Sequence, residues 1–151
     1  MAHPMVYPVH SAMPLEAAST IVDAALASGR AADCAPLVVA VLDSGGQLVA
    51  YKREDGAGLA RFAIAMGKAM AALGLGLPSR EIGARNAERL AFLNAAAAAT
   101  GGAFVPVAGG VLVMQDGRAI GADGISGDTS DKDEAAAVAG VTAAGLTPQA
   151  G

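Results

Sequence analysis

The sequence has few large side chains. Of its 151 residues, three are Phe, two are Tyr and none is Trp, and much of the 54% hydrophobic content is alanine. Alanine and glycine bury little area per residue, so the core must depend on close backbone packing. Such a core gains from contact between subunits, because that contact buries further apolar surface. We therefore expect a homo-oligomer.

Cysteine, basic clusters and long apolar runs are also scarce. The single Cys34 excludes an intrachain disulfide and a Cys-rich metal site. The ten Lys and Arg residues are spread thinly against 14 Asp and Glu, which argues against nucleic-acid binding. Residues 1–9 lack a signal-peptide pattern, and the longest strongly apolar run, 35–42, is too short to span a bilayer. The expectation is a cytoplasmic protein without a membrane or nucleic-acid partner.

The two histidines, His3 and His10, both precede the first predicted helix. No His-carboxylate metal site and no Ser-His-Asp triad can therefore be assembled from the rest of the chain. His10 has two interpretations: it folds back as an axial haem ligand, or it is an exposed histidine of an N-terminal arm. No other metal ligand is predicted.

Two β-hairpins are the clearest local features. The apolar run 37–42 is followed by the turn residues 44–46 and an alternating strand. The second hairpin covers 111–126 and turns at residues 116–117. Adjacent hairpins predict an antiparallel sheet.

Helical periodicity, with helix start and stop residues, fills the remaining chain. The predicted helices are 14–29, 59–73, a short one opening at Pro78 or Ser79, 87–100 and 131–144. With the short helix and helix 87–100 counted as one helical segment, the predicted order is α-β-β-α-α-β-β-α, an α/β protein of the α+β type with helices flanking the sheet. We divide the chain into an arm (1–13), one domain (14–145) and a tail (146–151) that we expect to be frayed.

Two cationic side chains are candidate ligand-binding groups. Lys68 lies in the apolar stretch 63–73, where an ammonium either extends to solvent or binds an anion in a pocket. Arg53 ends the first hairpin and offers a planar fork for a carboxylate or propionate. It is equally explained as a surface residue paired with a neighbouring acid.

The acidic candidates are less distinctive. Asp133 and Glu134 fall in the first turn of the last helix, where acids offset the helix dipole. Glu134 can act as an acid or base only if it faces a cleft, and Asp55 beside Arg53 is the other candidate. Asp123 interrupts an apolar strand, which indicates an edge or interface charge.

Two glycine-containing loops bracket the second hairpin. Gly109 and Gly110 precede it, and Ser126 and Gly127 end it. Glycine lets the backbone approach a ligand closely, although the same residues simply make turns.

Several short segments follow one another in a specific order. They are 40–50 (AVLDSGGQLVA), 53–57 (REDGA), 67–69 (GKA), 107–111 (VAGGV), 116–117 (DG), 121–127 (GADGISG) and 131–134 (DKDE). Jointly they resemble the GlcG/HbpS-like family, also described as haem-degrading or haem-binding domains and related to the PduO C-terminal domain. The resemblance covers roughly residues 15–145.

The resemblance implies a fold and an assembly. The fold is a five-stranded antiparallel sheet flanked by helices, and the assembly consists of dimers that form larger oligomers, with an octamer as one candidate. Members are similar to haem-binding sensors, to cobalamin-pathway domains or to small enzymes of muconate-type acids. Fold alone does not choose among these functions.

Two functional hypotheses follow. The first is a small-ligand-binding protein, with haem or another tetrapyrrole as ligand and Lys68 or Arg53 as partner of the propionates. The second is a small cofactor-independent enzyme, a dehalogenase, deaminase or tautomerase of a muconate-type acid. In it, Lys68 and Arg53 bind carboxylate, Asp55 or Glu134 moves protons, and the Gly109 and Gly110 amides stabilise developing enolate charge.

Overall fold

The computed structural model of the chain describes residues 5–151. Five helices and five strands occur in the following order: α1 (Leu15–Ala31), β1 (Val38–Asp43), β2 (Leu48–Arg53), α2 (Arg61–Leu75), α3 (Ser79–Arg85), α4 (Leu90–Ala99), β3 (Gly110–Gln115), β4 (Arg118–Ser126), α5 (Ser130–Ala143) and β5 (Thr147–Gln149).

All five strands form one antiparallel sheet with the order β2-β1-β4-β3-β5. This confirms the predicted α+β class and the five-stranded antiparallel sheet. The fifth strand comes from the tail that we expected to be frayed, since Thr147–Gln149 pairs with β3. Its three residues are too few for the sequence to show a strand pattern.

The helices cover both faces of the sheet. Helices α1 and α5 pack on each other and on the face that carries Val39, Val41 and Ile125. Helix α2 packs on the opposite face, against Val38 and Ala40. This division follows from the alternation of side chains along each strand.

Small residues let neighbouring elements approach closely. A Cβ atom at Gly124 of β4 would stand 2.0 Å from the backbone oxygen of Ala65 in α2. A Cβ atom at Gly140 of α5 would stand 2.5 Å from the backbone oxygen of Ile21 in α1. Both positions therefore require glycine, which is the close backbone packing expected of this composition.

Two local predictions need correction. The last helix begins at Ser130, one residue before the predicted start at 131, and its capping side chain is Thr129, which accepts a hydrogen bond from the Lys132 amide. Asp123 is not an edge or interface charge of this chain. It lies in β4, between β1 and β3, where its neighbours are Val41 and Val111.

Within residues 5–151, no single helix is long and apolar enough to cross a bilayer. Helices α2 and α3 reach that length only together, and they are bent by 71° with respect to each other.

Candidate functional site

A buried ion pair lies where strand β4 ends. The Lys68 ammonium of α2 is 2.9 Å from the Asp133 carboxylate of α5, and the two side chains are only 2% and 1% exposed. Lys68 also donates to the backbone oxygen of Ile125 at 2.9 Å. The second carboxylate oxygen of Asp133 accepts from the Asp128 amide at 3.0 Å. The pair therefore joins α2, β4 and the start of α5.

This pairing answers the question that the sequence left open for Lys68. Its ammonium neither extends to solvent nor faces an open pocket, because two internal acceptors hold it. Burial lowers the pKa of Lys68, and the hydrogen bond and the charge of Asp133 oppose that shift. The binding or catalytic role predicted for Lys68 would require this pair to open.

The Gly109-Gly110 loop covers Lys68. A Cβ atom at Gly109, whose φ is +121°, would stand 2.8 Å from the Lys68 nitrogen, and one at Gly110 would stand 2.2 Å from its backbone oxygen. The Gly110 amide donates to the Ser79 hydroxyl at 2.7 Å, and that hydroxyl donates to the backbone oxygen of Val107 at 2.6 Å. The Gly110 amide thus already has an acceptor inside the protein.

Glu134 is held by an arginine on another helix. The Arg80 Nε atom of α3 lies 3.0 and 3.1 Å from the two carboxylate oxygens of Glu134. Arg80 also contacts Asp131, and the two acids raise the pKa of its guanidinium. Glu134 therefore lies beside Asp133 in the chain but binds a separate cation.

Arg53 and Asp55 lie at a neighbouring cleft of about 490 Å³, at the ends of β1 and β2. Its other lining residues are Arg30, Pro36 and Glu54. Arg30 and Glu54 form an ion pair at 2.8 Å, and Glu54 also accepts from the Leu37 amide at 2.7 Å. Among the described residues, Arg53 and Asp55 form no ion pair, so both remain available to a ligand.

Ser126 and Gly127 serve different contacts. The buried Ser126 hydroxyl accepts a hydrogen bond from Arg61 Nη1 at 3.2 Å. Gly127 packs on the chain before β1, because a Cβ atom there would stand 2.3 Å from the backbone oxygen of Pro36. Gly127 therefore has a structural explanation, whereas Ser126 faces a cation.

His10 is exposed in the chain segment before α1. Among residues 5–151 it has no hydrogen bond or ion pair, and no three His, Cys, Asp or Glu side chains there come together to hold a metal ion. His3 lies outside the described residues.

The structure brings Lys68, Gly109 and Ser126 together at the end of β4 and places Arg53 and Asp55 at the adjoining cleft. Sequence reasoning missed four contributors: Arg61, Ser79, Arg80 and the pairing role of Asp133. The one available signal was Lys68 itself, because a buried ammonium requires a buried acceptor. It did not indicate which acid.

Comparison with known proteins now identifies the family. A family model described as haem-degrading protein HbpS-like matches residues 13–142. The chain belongs to the HbpS-like family. No curated protein sequence matches it significantly.

Solved structures share the fold of this HbpS-like chain. The PduOC:heme complex has a TM-score of 0.81 and 23% sequence identity, with 91% of this chain and 98% of the other covered. Protein ORFY of Klebsiella pneumoniae also has a TM-score of 0.81 and 23% identity, over 96% and 98% of the two chains. A double mutant of HbpS from Streptomyces reticuli has a TM-score of 0.75 and 26% identity, over 94% and 92%.

Proposed function

We propose that this protein binds haem or a related tetrapyrrole. The observation that carries the proposal is the match of residues 13–142 to the family model of haem-degrading HbpS-like proteins. A structure with the same fold is a haem complex, which adds support for the ligand class.

The chain contains side chains of the types that fit this group. Haem needs an apolar surface, a cation for its propionates and an axial ligand for iron. Arg53 is a free cation beside a cleft, and the half-exposed rings of Tyr51 and Phe62 are close by in the sequence and touch each other. His10 is exposed and is the imidazole that we assign to the iron. When bound, haem would supply an iron centre that accepts such a ligand.

The enzyme hypothesis receives less support from the geometry. Its proposed proton carrier Glu134 is bound by Arg80, its carboxylate-binding Lys68 by Asp133, and its Gly110 amide by Ser79. Of the charged side chains in this hypothesis, only Arg53 and Asp55 form no ion pair within the described residues. We therefore place ligand binding first.

A haemin titration tests the binding function. Saturable binding with a shifted Soret band is expected for the wild type, and His10→Ala is expected to change the spectrum of the bound haem. His3→Ala is the matched control, because it removes the other histidine of the arm. A wild-type protein that leaves the Soret band unshifted would overturn the proposal. An unchanged spectrum in His10→Ala would remove only the axial role of His10.

The homo-oligomer expected from the composition and from the resemblance stays a prediction. Light scattering of the purified protein, with and without haemin, measures it directly. A monomer in both conditions would contradict it.

A further inference from the structure

Arg53 and Ser126 lie on one row of the sheet. Val38 of β1 pairs with Arg53 of β2 on one side and with Ser126 of β4 on the other. Residues directly opposite one another project from the same face, and here that face carries α2. Two strand spacings place the Arg53 and Ser126 backbones about 10 Å apart, within the reach of arginine side chains.

Arg61 of helix α2 contacts this row at Ser126. It is the first residue of α2, and its Nη1 atom donates to the Ser126 hydroxyl at 3.2 Å. The first turn of α2 contains no acid and its N-cap residue Ala60 makes no capping hydrogen bond. A cation at the positive end of a helix dipole is unfavourable unless an anion lies nearby.

The surrounding acids are almost all occupied by other cations. Glu54 binds Arg30, Asp133 binds Lys68 and Glu134 binds Arg80. Within the described chain, neither Arg53 nor Arg61 forms an ion pair. Two unpaired guanidiniums, a buried hydroxyl and a helix start thus belong to one end of the sheet, where the exposed Asp55 follows Arg53 in the chain.

Two aromatic residues, Tyr51 and Phe62, lie close to Arg53 and Arg61 in the chain. Tyr51 lies two residues before Arg53 and faces the same side, opposite Ala40. Its ring meets that of Phe62 edge to face with centroids 4.9 Å apart, and each residue is 38% exposed. Flat apolar molecules bind well to such exposed rings.

We propose that Arg53 and Arg61, the latter positioned by the buried Ser126 hydroxyl, form a carboxylate-binding subsite for a flat apolar ligand that packs on Tyr51 and Phe62. The inference rests on the proposed function, in which the carboxylate is a propionate of the tetrapyrrole. It replaces Lys68 in that role, because the Lys68 ammonium is already bound by Asp133. Arg53 and Arg61 can both offer charge-assisted hydrogen bonds to one carboxylate.

Haemin and its dimethyl ester, which lacks the free carboxylates, provide the first test. Arg53→Gln and Arg61→Gln are each expected to weaken haemin binding about tenfold, the loss of one charge-assisted contact, and to leave ester binding unchanged. Arg118→Gln is the matched control, since Arg118 is exposed at the second hairpin turn. Equal haemin affinity in wild type and both variants would overturn the subsite while leaving haem binding intact.

A probe without iron separates this inference from the proposed function. Wild type is expected to bind 1-pyrenebutyrate more tightly than the uncharged 1-pyrenebutanol, as measured by pyrene fluorescence. The preference is expected to disappear in Arg53→Gln and in Ser126→Ala, and circular dichroism checks that both variants are folded. A preference that persists in both variants, or its absence in wild type, would overturn the subsite whatever the haemin titration shows.

Discussion

Two buried carboxylates in this molecule have opposite surroundings. Asp133, in the first turn of α5, is 1% exposed and is bound by the Lys68 ammonium and the Asp128 amide. Asp123, in the middle of strand β4, is 0% exposed, and neither of its oxygens has a hydrogen-bond partner in the described chain. Burial alone therefore does not determine how far an aspartate lowers the free energy of unfolding, because the presence of a partner decides whether the carboxylate keeps its charge.

The unpaired member responds by changing its protonation. Burial raises the pKa of Asp123 well above its ordinary value, since desolvation penalises the charged form and no cation compensates. Burial thus favours the neutral form of Asp123 within the apolar cluster of Val41, Val111 and Ile125. The structure shows no function for it.

Removing the cation that pairs with Asp133 should have the largest effect on stability. Lys68→Met leaves the Asp133 carboxylate buried without its cation, and we expect the free energy of unfolding to fall by about 3–5 kcal/mol. Urea denaturation measures the change. The double variant Lys68→Met, Asp133→Leu removes both charges and is expected to recover much of the loss. If it is as unstable as the single variant, an unpaired charge is not the cause.

Replacing the unpaired Asp123 with an apolar residue should stabilise the protein. Asp123→Val removes two unpartnered oxygens from an apolar cluster, so the free energy of unfolding at pH 7 should rise by about 1–3 kcal/mol. Asp123→Asn, of equal size and unable to ionise, separates charge from packing. The exposed turn variant Asp116→Asn is the matched control.

The same variants predict a pH dependence with a defined sign. The pKa of Asp123 is raised in the folded state. Its cost to stability is therefore absent below about pH 4, the ordinary carboxyl range, because Asp123 is then protonated in both the folded and the unfolded state. As the pH rises, Asp123 ionises first in the unfolded chain. The free energy of unfolding of wild type therefore falls by at most about 1.4 kcal/mol per pH unit relative to that of Asp123→Asn. A constant difference between the two proteins from pH 4.5 to 7.5 would show that Asp123 does not titrate this way.

The partly exposed pair of Arg80 and Glu134 should have the smallest effect on stability. Arg80→Ala removes the cation beside Glu134, but Arg80 itself is exposed to solvent and Glu134 can be reached by water once it is gone. We expect a loss of only about 0–1 kcal/mol in the free energy of unfolding. Denaturation in parallel with Lys68→Met checks this. A loss as large as that of Lys68→Met would mean that Glu134 is effectively as buried as Asp133.

Much of the fold was predictable because its signals are local. Turn residues 44–46 and 116–117 lie inside both hairpins, and helical periodicity placed α1, α2 and α5 within a few residues of their bounds. Strand β5 escaped prediction, because a three-residue edge strand depends on the partner strand β3 rather than on its own pattern.

The candidate site was predictable only in part. Arg53 and Asp55 stood out as polar residues at a hairpin end, and the structure places them together at a cleft. Arg61 carried no comparable signal, because its importance depends on Ser126, which is 65 residues away in the chain.

The sequence by itself determined four of the five strands, most of the helices and the turns of both hairpins, since turn chemistry and side-chain periodicity act over a few residues. Only the tertiary structure decided which charges meet. Lys68 pairs with Asp133 across 65 residues, whereas Asp123, on the strand that also carries the Lys68 acceptor Ile125, has no hydrogen-bond partner in the described chain. Charge pairing depends on distances of a few ångströms between elements far apart in the chain, and those distances exist only after the sheet and helices have packed.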